Sequence, residues 1–310
     1  MTRLLATAFA LLVAGCATLR TGGSPAPADA QRLYAAGRFR EAAARLSDEE
    51  LQRLGDRDAR LAHELLGRSQ ERLGKPDAAL RTYQTGVALF PKDLNLLTDL
   101  GNLLHHAGLD DQARPVYERI LAIHPNNAAA HLGLAETDSK LGFLDRAAVH
   151  YEATLRTLGD QAGLWRDYAE VLAQSRKPDQ ALEAVGRSLA LSPEPLSWLL
   201  QARLLWRLGR ATDAFAALAR AEEEGGPRAA LALQRGLWRL ESGNLDAADG
   251  DAAVALRLEP AEPLAFWLRA SVALRRGRKD AARKDLERAA RQGSSPFVAA
   301  AAEAMLGQLR

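Results

Sequence analysis

The stretch that decides the fold is Leu94-Asn-Leu-Leu-Thr-Asp-Leu-Gly-Asn-Leu-Leu-His-His-Ala-Gly108-Leu-Asp-Asp-Gln-Ala-Arg-Pro-Val-Tyr-Glu-Arg-Ile-Leu-Ala-Ile-His-Pro-Asn-Asn127. Leu97, Leu100, Gly101 and Leu104 fall at i, i+3, i+4 and i+7, so they share one face of a helix that packs inward. Gly108 ends that helix. A second helix then carries Ala113 and Tyr117 until Pro125, which cannot continue an intrahelical hydrogen-bond ladder. The stretch predicts two antiparallel helices.

Outward from this unit the same marks return. The helix-ending glycine recurs at Gly74, Gly108, Gly142, Gly209, Gly243 and Gly277, with Arg176 in the one missing slot, at steps of 34, 34, 34, 33, 34 and 34 residues. Five residues after each comes Ala79, Ala113, Ala147, Ala181, Ala214, Ala248 or Ala282. Counting units from 60, 94, 128, 162, 195, 229 and 263, places 4 and 7 are mostly large. Place 8 is always Gly or Ala: Gly67, Gly101, Ala135, Ala169, Ala202, Gly236 and Ala270. Small residues there let the two helices approach closely. Place 24 takes Tyr83, Tyr117 and Tyr151, and Pro91, Pro125, Pro193 and Pro260 stop the second helix.

This pattern resembles the tetratricopeptide repeat family over residues 60–293, in seven units. The resemblance implies an all-α fold, an α-solenoid of antiparallel helix pairs forming a superhelix, whose inner groove takes an extended peptide or a partner's helix. Departures occur at Arg235 and Arg269 in place 7 and Arg239 in place 11, where apolar residues are usual. Either units six and seven pack loosely there, or the guanidinium groups stand at the groove edge. A degenerate unit is expected over 28–59, from Tyr34-Ala-Ala-Gly37-Arg-Phe39-Arg-Glu-Ala42, with a small insertion at the capping-box sequence Ser47-Asp-Glu-Glu50. Ser294-Ser295-Pro296 opens a helix with a hydroxyl cap, and 294–310 is expected to cover the last repeat through Phe297, Val298, Met305, Leu306 and Leu309.

Composition agrees. The 310 residues are 47% hydrophobic but only 5% aromatic, which suits closely packed helices rich in Ala and Leu. A formal charge of +2 gives no global attraction to nucleic acid, and the hydrophobic content excludes a disordered chain. A length that suggests two domains reads instead as one array.

The first 15 residues carry Arg3 and then an apolar run from Leu4 to Ala14, the pattern of a secretory signal too short for a transmembrane helix. Leu12-Val-Ala-Gly-Cys16 resembles the lipobox of bacterial lipoproteins, with Val13 where Leu is usual. The resemblance implies lipidation at Cys16, the only cysteine in the chain, and Ala17 after it implies the outer membrane, with the protein facing the periplasm. Residues 16–27, rich in Gly, Ser and Pro, read as a flexible tether.

No constellation of nucleophile, base or metal ligands emerges. His63-Glu-Leu-Leu-Gly67 lacks the second histidine of a zinc helix, and adjacent His105 and His106 diverge by about 100° on a helix. His63 and His131 occupy place 4 and read as packing residues. The chain is expected to be non-enzymatic, with no cofactor and no metal.

Places 2, 5, 9, 12 and 13 of each first helix then face the groove. In the front half they are polar, including Asn102, His105, His106, Glu136, Lys140, Arg166 and Glu170. In the rear half they turn apolar, including Leu199, Arg203, Trp206, Leu233, Leu240 and Trp267. Asn102, His105, Glu136, Arg166, Glu170, Leu199, Arg203, Trp206, Leu233 and Trp267 are the predicted partner-binding residues, with the rear half as the hot spot. The alternative is that curvature folds the apolar ones into packing between repeats. From Arg269 to Arg291 nine Lys or Arg stand against three acids, a basic end that either meets an acidic partner or is a solvated face. Together these readings predict an outer-membrane lipoprotein that scaffolds assembly of a cell-envelope complex, such as pilus, secretin or cell-wall machinery. A soluble periplasmic peptide-binding chaperone is the rival, and a metal-dependent enzyme or sensor a more distant one.

Overall fold

The computed structural model describes residues 25–226, 228–291 and 295–309. Met1–Ser24, and so Cys16 with the signal and most of the tether, lie outside the described residues. Two compact units divide at Thr157 and Leu158, where the sequence presented one run of repeats.

The first unit contains α1 (Ala26–Ala35), α2 (Phe39–Ala44), α3 (Asp48–Arg53), α4 (Asp56–Arg72), α5 (Pro76–Leu89), α6 (Leu94–His106), α7 (Asp110–Ile123), α8 (Ala128–Lys140) and α9 (Leu144–Leu158). The second contains α10 (Ala162–Gln174), α11 (Pro178–Leu191), α12 (Pro195–Arg207), α13 (Ala211–Gly225), α14 (Ala229–Glu241), α15 (Leu245–Leu258), α16 (Pro263–Arg275), α17 (Lys279–Arg291) and α18 (Pro296–Gln308). Helices pack in consecutive pairs, α4 on α5, α6 on α7, α10 on α11, α12 on α13, α14 on α15 and α16 on α17.

The repeat marks act through local geometry. Each first helix ends on a residue in the left-handed region, as at Gly74 with φ 69°, followed by an N–H of Lys75 bonding back to Gln70 O at 2.9 Å. This closes the helix by satisfying carbonyls that have no intrahelical partner. Arg176 fills the missing glycine slot in the same conformation, with φ 58°, and Lys177 N–H returns to Leu172 O at 3.0 Å. It is the one non-glycine with positive φ among the described residues. The repeat geometry therefore overrides the side chain's preference.

Close approach at place 8 is equally concrete. Tyr83 from α5 lies against Gly67 of α4, where an added Cβ would stand 2.3 Å from Tyr83 Cε1. Tyr117 lies against both Gly101 and Gly133 in the same way. Both rings are buried, and their hydroxyls donate to Glu71 Oε1 at 2.6 Å and Asn102 Oδ1 at 2.8 Å. Burial raises both phenols well above their ordinary range.

The degenerate unit and the terminal helix depart from expectation in detail. Helix α1 already begins at Ala26, so the expected tether to residue 27 ends two residues early. The insertion folds into α3, whose Ser47 Oγ accepts from Glu50 N–H at 3.4 Å. In α18 Val298 and Ala302 are buried against Phe266, Ala270 and Leu286, with Met305, Leu306 and Leu309 alongside. Phe297, expected to join them, is 82% exposed, because it lies on the opposite side of the helix from Val298 and Ala302. Ser295 occupies the cap position without a side-chain cap bond.

The arginines at places 7 and 11 are neither loose nor at a groove edge. Arg269 holds Asp285 through two bonds of 2.7 Å. Arg235 and Arg239 both reach Asp251, at 2.9 and 2.8 Å, and Arg235 also reaches Glu222 at 2.9 Å. Asp251 and Asp285 are buried. Both stand at place 23 and no other unit has an acid there, so Arg at 7 and Asp at 23 appear together. An aspartate at place 23 without the arginine would be a buried charge without a partner.

Candidate functional site

In the second unit the first helices α10, α12 and α14 line a cavity of about 330 Å³ bounded by Glu170, Ala173, Gln174, Leu200, Arg203, Trp206, Arg207, Gln234 and Trp238. Three predicted residues, Glu170, Arg203 and Trp206, come together here. The wall is rigid: the Trp206 and Trp238 rings stack at 4.8 Å and 7° between planes, with Phe215 edge-on to both. Trp206 Nε1 donates to Glu241 Oε2 at 3.1 Å. Fixed aromatic surface of this kind loses little conformational entropy when a partner side chain is laid on it. Arg203 Nε donates to Gln234 Oε1 at 3.2 Å and keeps its exposed guanidinium at the mouth, and Arg207 donates to Ala173 O at 3.4 Å.

Other predicted positions are consumed by packing. Leu233 is 5% exposed and belongs, with Leu240, to the core between α14, α15 and α16. It is removed from the groove set. The reason is curvature: consecutive first helices lean together and turn places 5 and 12 of the sixth unit inward. Trp267 is partly buried in the same core, with Nε1 shielded and unbonded. Leu199 packs against the core of α12, α13 and α14 and stays half-buried. Arg166 is tied to Asp167 and Glu194, each at 3.1 Å.

The front set also divides. His105 is 7% exposed, not a groove surface, because α8 of the next repeat closes over it. Its Nδ1 lies 2.6 Å from Asp110 Oδ1 and 3.3 Å from Thr137 Oγ1, and its Nε2 lies 3.4 Å from Glu136 Oε2 and 3.3 Å from Lys140 Nζ. Asn102 is exposed but spends its carbonyl on Tyr117. Glu136 stands half-exposed beside His105.

Two polar groups, one buried and one partly buried, lie outside the predicted set. Asp138 is fully buried, with Arg114 Nε 3.1 Å from Oδ1 and Arg146 Nε 3.4 Å from Oδ2, and burial pushes its carboxyl up. His131 Nε2 is 2.9 Å from Pro125 O, and its Nδ1 is 3.0 Å from His150 Nδ1. The ring centroids are 5.3 Å apart, so the two nitrogens lie nearly on the line joining the rings. That is a linear N–H to N bond, with His150 donating. Burial, then His131, pushes His150 down to about 4. Among the described residues no group of three or more His, Cys, Asp or Glu side chains converges on a metal position.

The tetratricopeptide repeat profile matches residues 28–93, 64–128, 169–230 and 233–306, most of the chain. The chain belongs to the tetratricopeptide repeat family. Tetratricopeptide repeat protein 8 of Caenorhabditis elegans is 27% identical over 124 residues, which is 40% of this chain and 24% of that protein. The match thus spans about a quarter of that relative. Among solved structures, a tetratricopeptide repeat protein of Parabacteroides merdae aligns with TM-score 0.57 and 16% identity over 92% of this chain and 97% of its own. Pseudomonas aeruginosa pilF aligns with TM-score 0.55 and 20% identity, over 68% of this chain and 96% of its own. MamA from Desulfovibrio magneticus RS-1 aligns with TM-score 0.51 and 18% identity, over 53% and 93%. At these identities the likeness is one of fold. Tetratricopeptide repeats are protein interaction scaffolds, and the cavity at Trp206 is one concave surface of the second unit.

Proposed function

We propose that this protein is a lipoprotein scaffold, held at the outer membrane through Cys16 and facing the periplasm, that recruits a protein partner for assembly of a cell-envelope complex. The reading rests on one juxtaposition in the sequence: the only cysteine stands directly after Leu12-Val-Ala-Gly15, ahead of a tetratricopeptide array. Durable anchoring takes more than one acyl chain, which a lipidated N-terminal cysteine supplies. Partner capture uses the Trp206 wall, with Arg203 and Glu170 at the mouth setting charge preference. Pilus or secretin assembly and cell-wall machinery are the candidate complexes.

Labelled palmitate and membrane fractionation test the anchor. The native chain takes up label and sediments with outer membranes, and Cys16→Ser loses both. Label and fractionation unchanged in Cys16→Ser would leave the soluble periplasmic binder as the better reading. Arg203→Glu, at an exposed position, tests the groove. Capture of envelope partners falls, and undiminished capture by a still-helical variant rules the Trp206 cavity out.

A further inference from the structure

In the first unit the buried ring of His105 on α6 meets charged groups at both nitrogens. Nδ1 lies 2.6 Å from Asp110 Oδ1 of α7, and Asp110 is itself buried. An ionised carboxylate accepts hydrogen bonds and cannot donate, so Nδ1 carries a proton whether the ring is neutral or charged. Any change of protonation at His105 therefore falls on Nε2.

Nε2 stands between two side chains of α8 that carry opposite charges. Lys140 Nζ is 3.3 Å away in hydrogen-bonding geometry, and Glu136 Oε2 is 3.4 Å away. A neutral ring offers Nε2 as a lone pair, to which an ammonium can donate and a carboxylate cannot. A protonated ring offers an N–H, which a carboxylate accepts and an ammonium cannot. One proton thus exchanges the partner. Glu136 and Lys140 occupy places 9 and 13, on the groove side of α8, where Glu136 is half-exposed and Lys140 exposed. Among the described residues neither has another ion-pair partner, so each depends on His105 for its tether.

The other polar and titratable groups around the ring do not take part in the exchange. Thr137 Oγ1 of α8 lies 3.3 Å from Nδ1 and is neutral. Tyr117 of α7 donates its hydroxyl to Asn102, and His106, next to His105 on α6 with its ring centroid 5.8 Å away, donates from Nδ1 to Asn102 O at 2.7 Å.

We propose that His105 is a proton-driven exchanger of charge on the groove face of the first unit. With Nε2 unprotonated, Lys140 is held against the ring and the Glu136 carboxylate faces the groove unpaired. Protonation draws Glu136 onto the Nε2–H and releases Lys140, so the face passes from a free carboxylate to a free ammonium. Asp110 stays bound in both states. No helix has to move, because both side chains already stand within 3.4 Å of the ring. An acidic ligand on this face is favoured as pH falls, and a basic one as pH rises. The device is independent of the anchor and of the Trp206 cavity.

The test is a nuclear magnetic resonance titration of the whole chain in detergent, with 15N-labelled histidine and 13C-labelled glutamate and lysine. It runs from pH 8 to pH 5, the range in which histidine side chains ordinarily change charge. At pH 8 His105 is expected as the Nδ1–H tautomer. As pH falls, its Nε2 signal, Glu136 Cδ and Lys140 Cε are expected to move with one shared midpoint. Lys140→Met should raise that midpoint by about one pH unit, since it removes a cation beside Nε2, and Glu136→Gln should lower it by about as much. In His105→Gln the Glu136 and Lys140 transitions should vanish. An Nε2–H tautomer at pH 8, no shared midpoint in this range, or a Glu136 transition that persists in a folded His105→Gln overturns the proposal. If His105→Gln fails to fold, Lys140→Met at its exposed position still decides: a midpoint unchanged or lowered there overturns the proposal as well.

Discussion

Gly67→Ala is expected to destabilise the protein, although the same change in an ordinary helix stabilises it. In a helix interior Ala is better than Gly by about 0.5–1 kcal/mol, since it loses less backbone entropy on folding. At Gly67 a new Cβ would stand 2.3, 2.6 and 2.7 Å from Cε1, Cζ and Cδ1 of Tyr83. Carbon atoms sit at about 3.5 Å or more in ordinary contact, so the ring edge must withdraw by roughly 1 Å. It has nowhere to go: Tyr83 is 0% exposed and its hydroxyl is held to Glu71 at 2.6 Å. Overpacking of this kind costs about 1–3 kcal/mol. With three ring atoms in the clash the upper end applies, and subtracting the propensity gain leaves about 2–2.5 kcal/mol of net destabilisation. Gly186→Ala in α11 and Gly250→Ala in α15 are the controls, because nothing lies within 4 Å of a Cβ at either position. They are expected to stabilise by about 0.5–1 kcal/mol. Urea unfolding followed by circular dichroism reads all three, compared by transition midpoint because repeat arrays lose strict two-state behaviour. The Gly67→Ala and Tyr83→Leu pair should be less damaging together than the sum of the singles. If Gly67→Ala raises the midpoint as the controls do, the close packing of place 8 on place 24 is not what holds these helices together.

Four further outcomes follow from the same structure. Arg176→Gly is expected to stabilise by about 1 kcal/mol, since it removes the cost of holding a branched backbone position at φ 58°, and an unchanged or lowered urea midpoint refutes this. Asp285→Leu or Arg269→Met alone should cost about 2–3 kcal/mol, below the 3–5 of a fully buried pair because Arg269 is partly exposed, while the double variant returns near the native value; additive costs in that cycle would show the pair to be uncoupled. His150 is neutral in the fold and held down to about 4 from an ordinary 6.5, so the unfolded chain takes up its proton first and stability is lost as pH falls from about 6.5 towards 4. Asp99, pushed up to about 6 by burial against the pull of Arg68, works the other way and loses stability as pH rises from about 4 through 6. Urea midpoints against pH should show a smaller acid loss in His150→Gln and a smaller loss on the rising side in Asp99→Asn, and profiles parallel to the native one count against both assignments.

The Arg and Asp at places 7 and 23 show how a readable signal is overlooked. The arginines were visible as misfits in the repeat pattern, and their partners stand 16 residues on, at Asp251 and Asp285, where no other unit has an acid. Reading each place down all seven units would have paired them. The burial of His105 had no such signal. Asp110 is nearby in sequence, but Thr137 and Lys140 come from the next repeat, and only the packing of α8 on α6 brings them to the ring. Leu233 and Trp206 lie at comparable groove places, yet one is core and the other lines a cavity.

Sequence by itself determined the repeat: its length, its two helices, the glycine that ends the first, the small residue that lets a tyrosine in, and the proline beyond the second. Each of these acts over a few residues through backbone conformation or one close contact, so each leaves a mark that recurs along the array. Tertiary structure decided which of the outward-facing residues meet solvent, because the lean of one helix pair on the next is a sum over many side chains and no single residue encodes it.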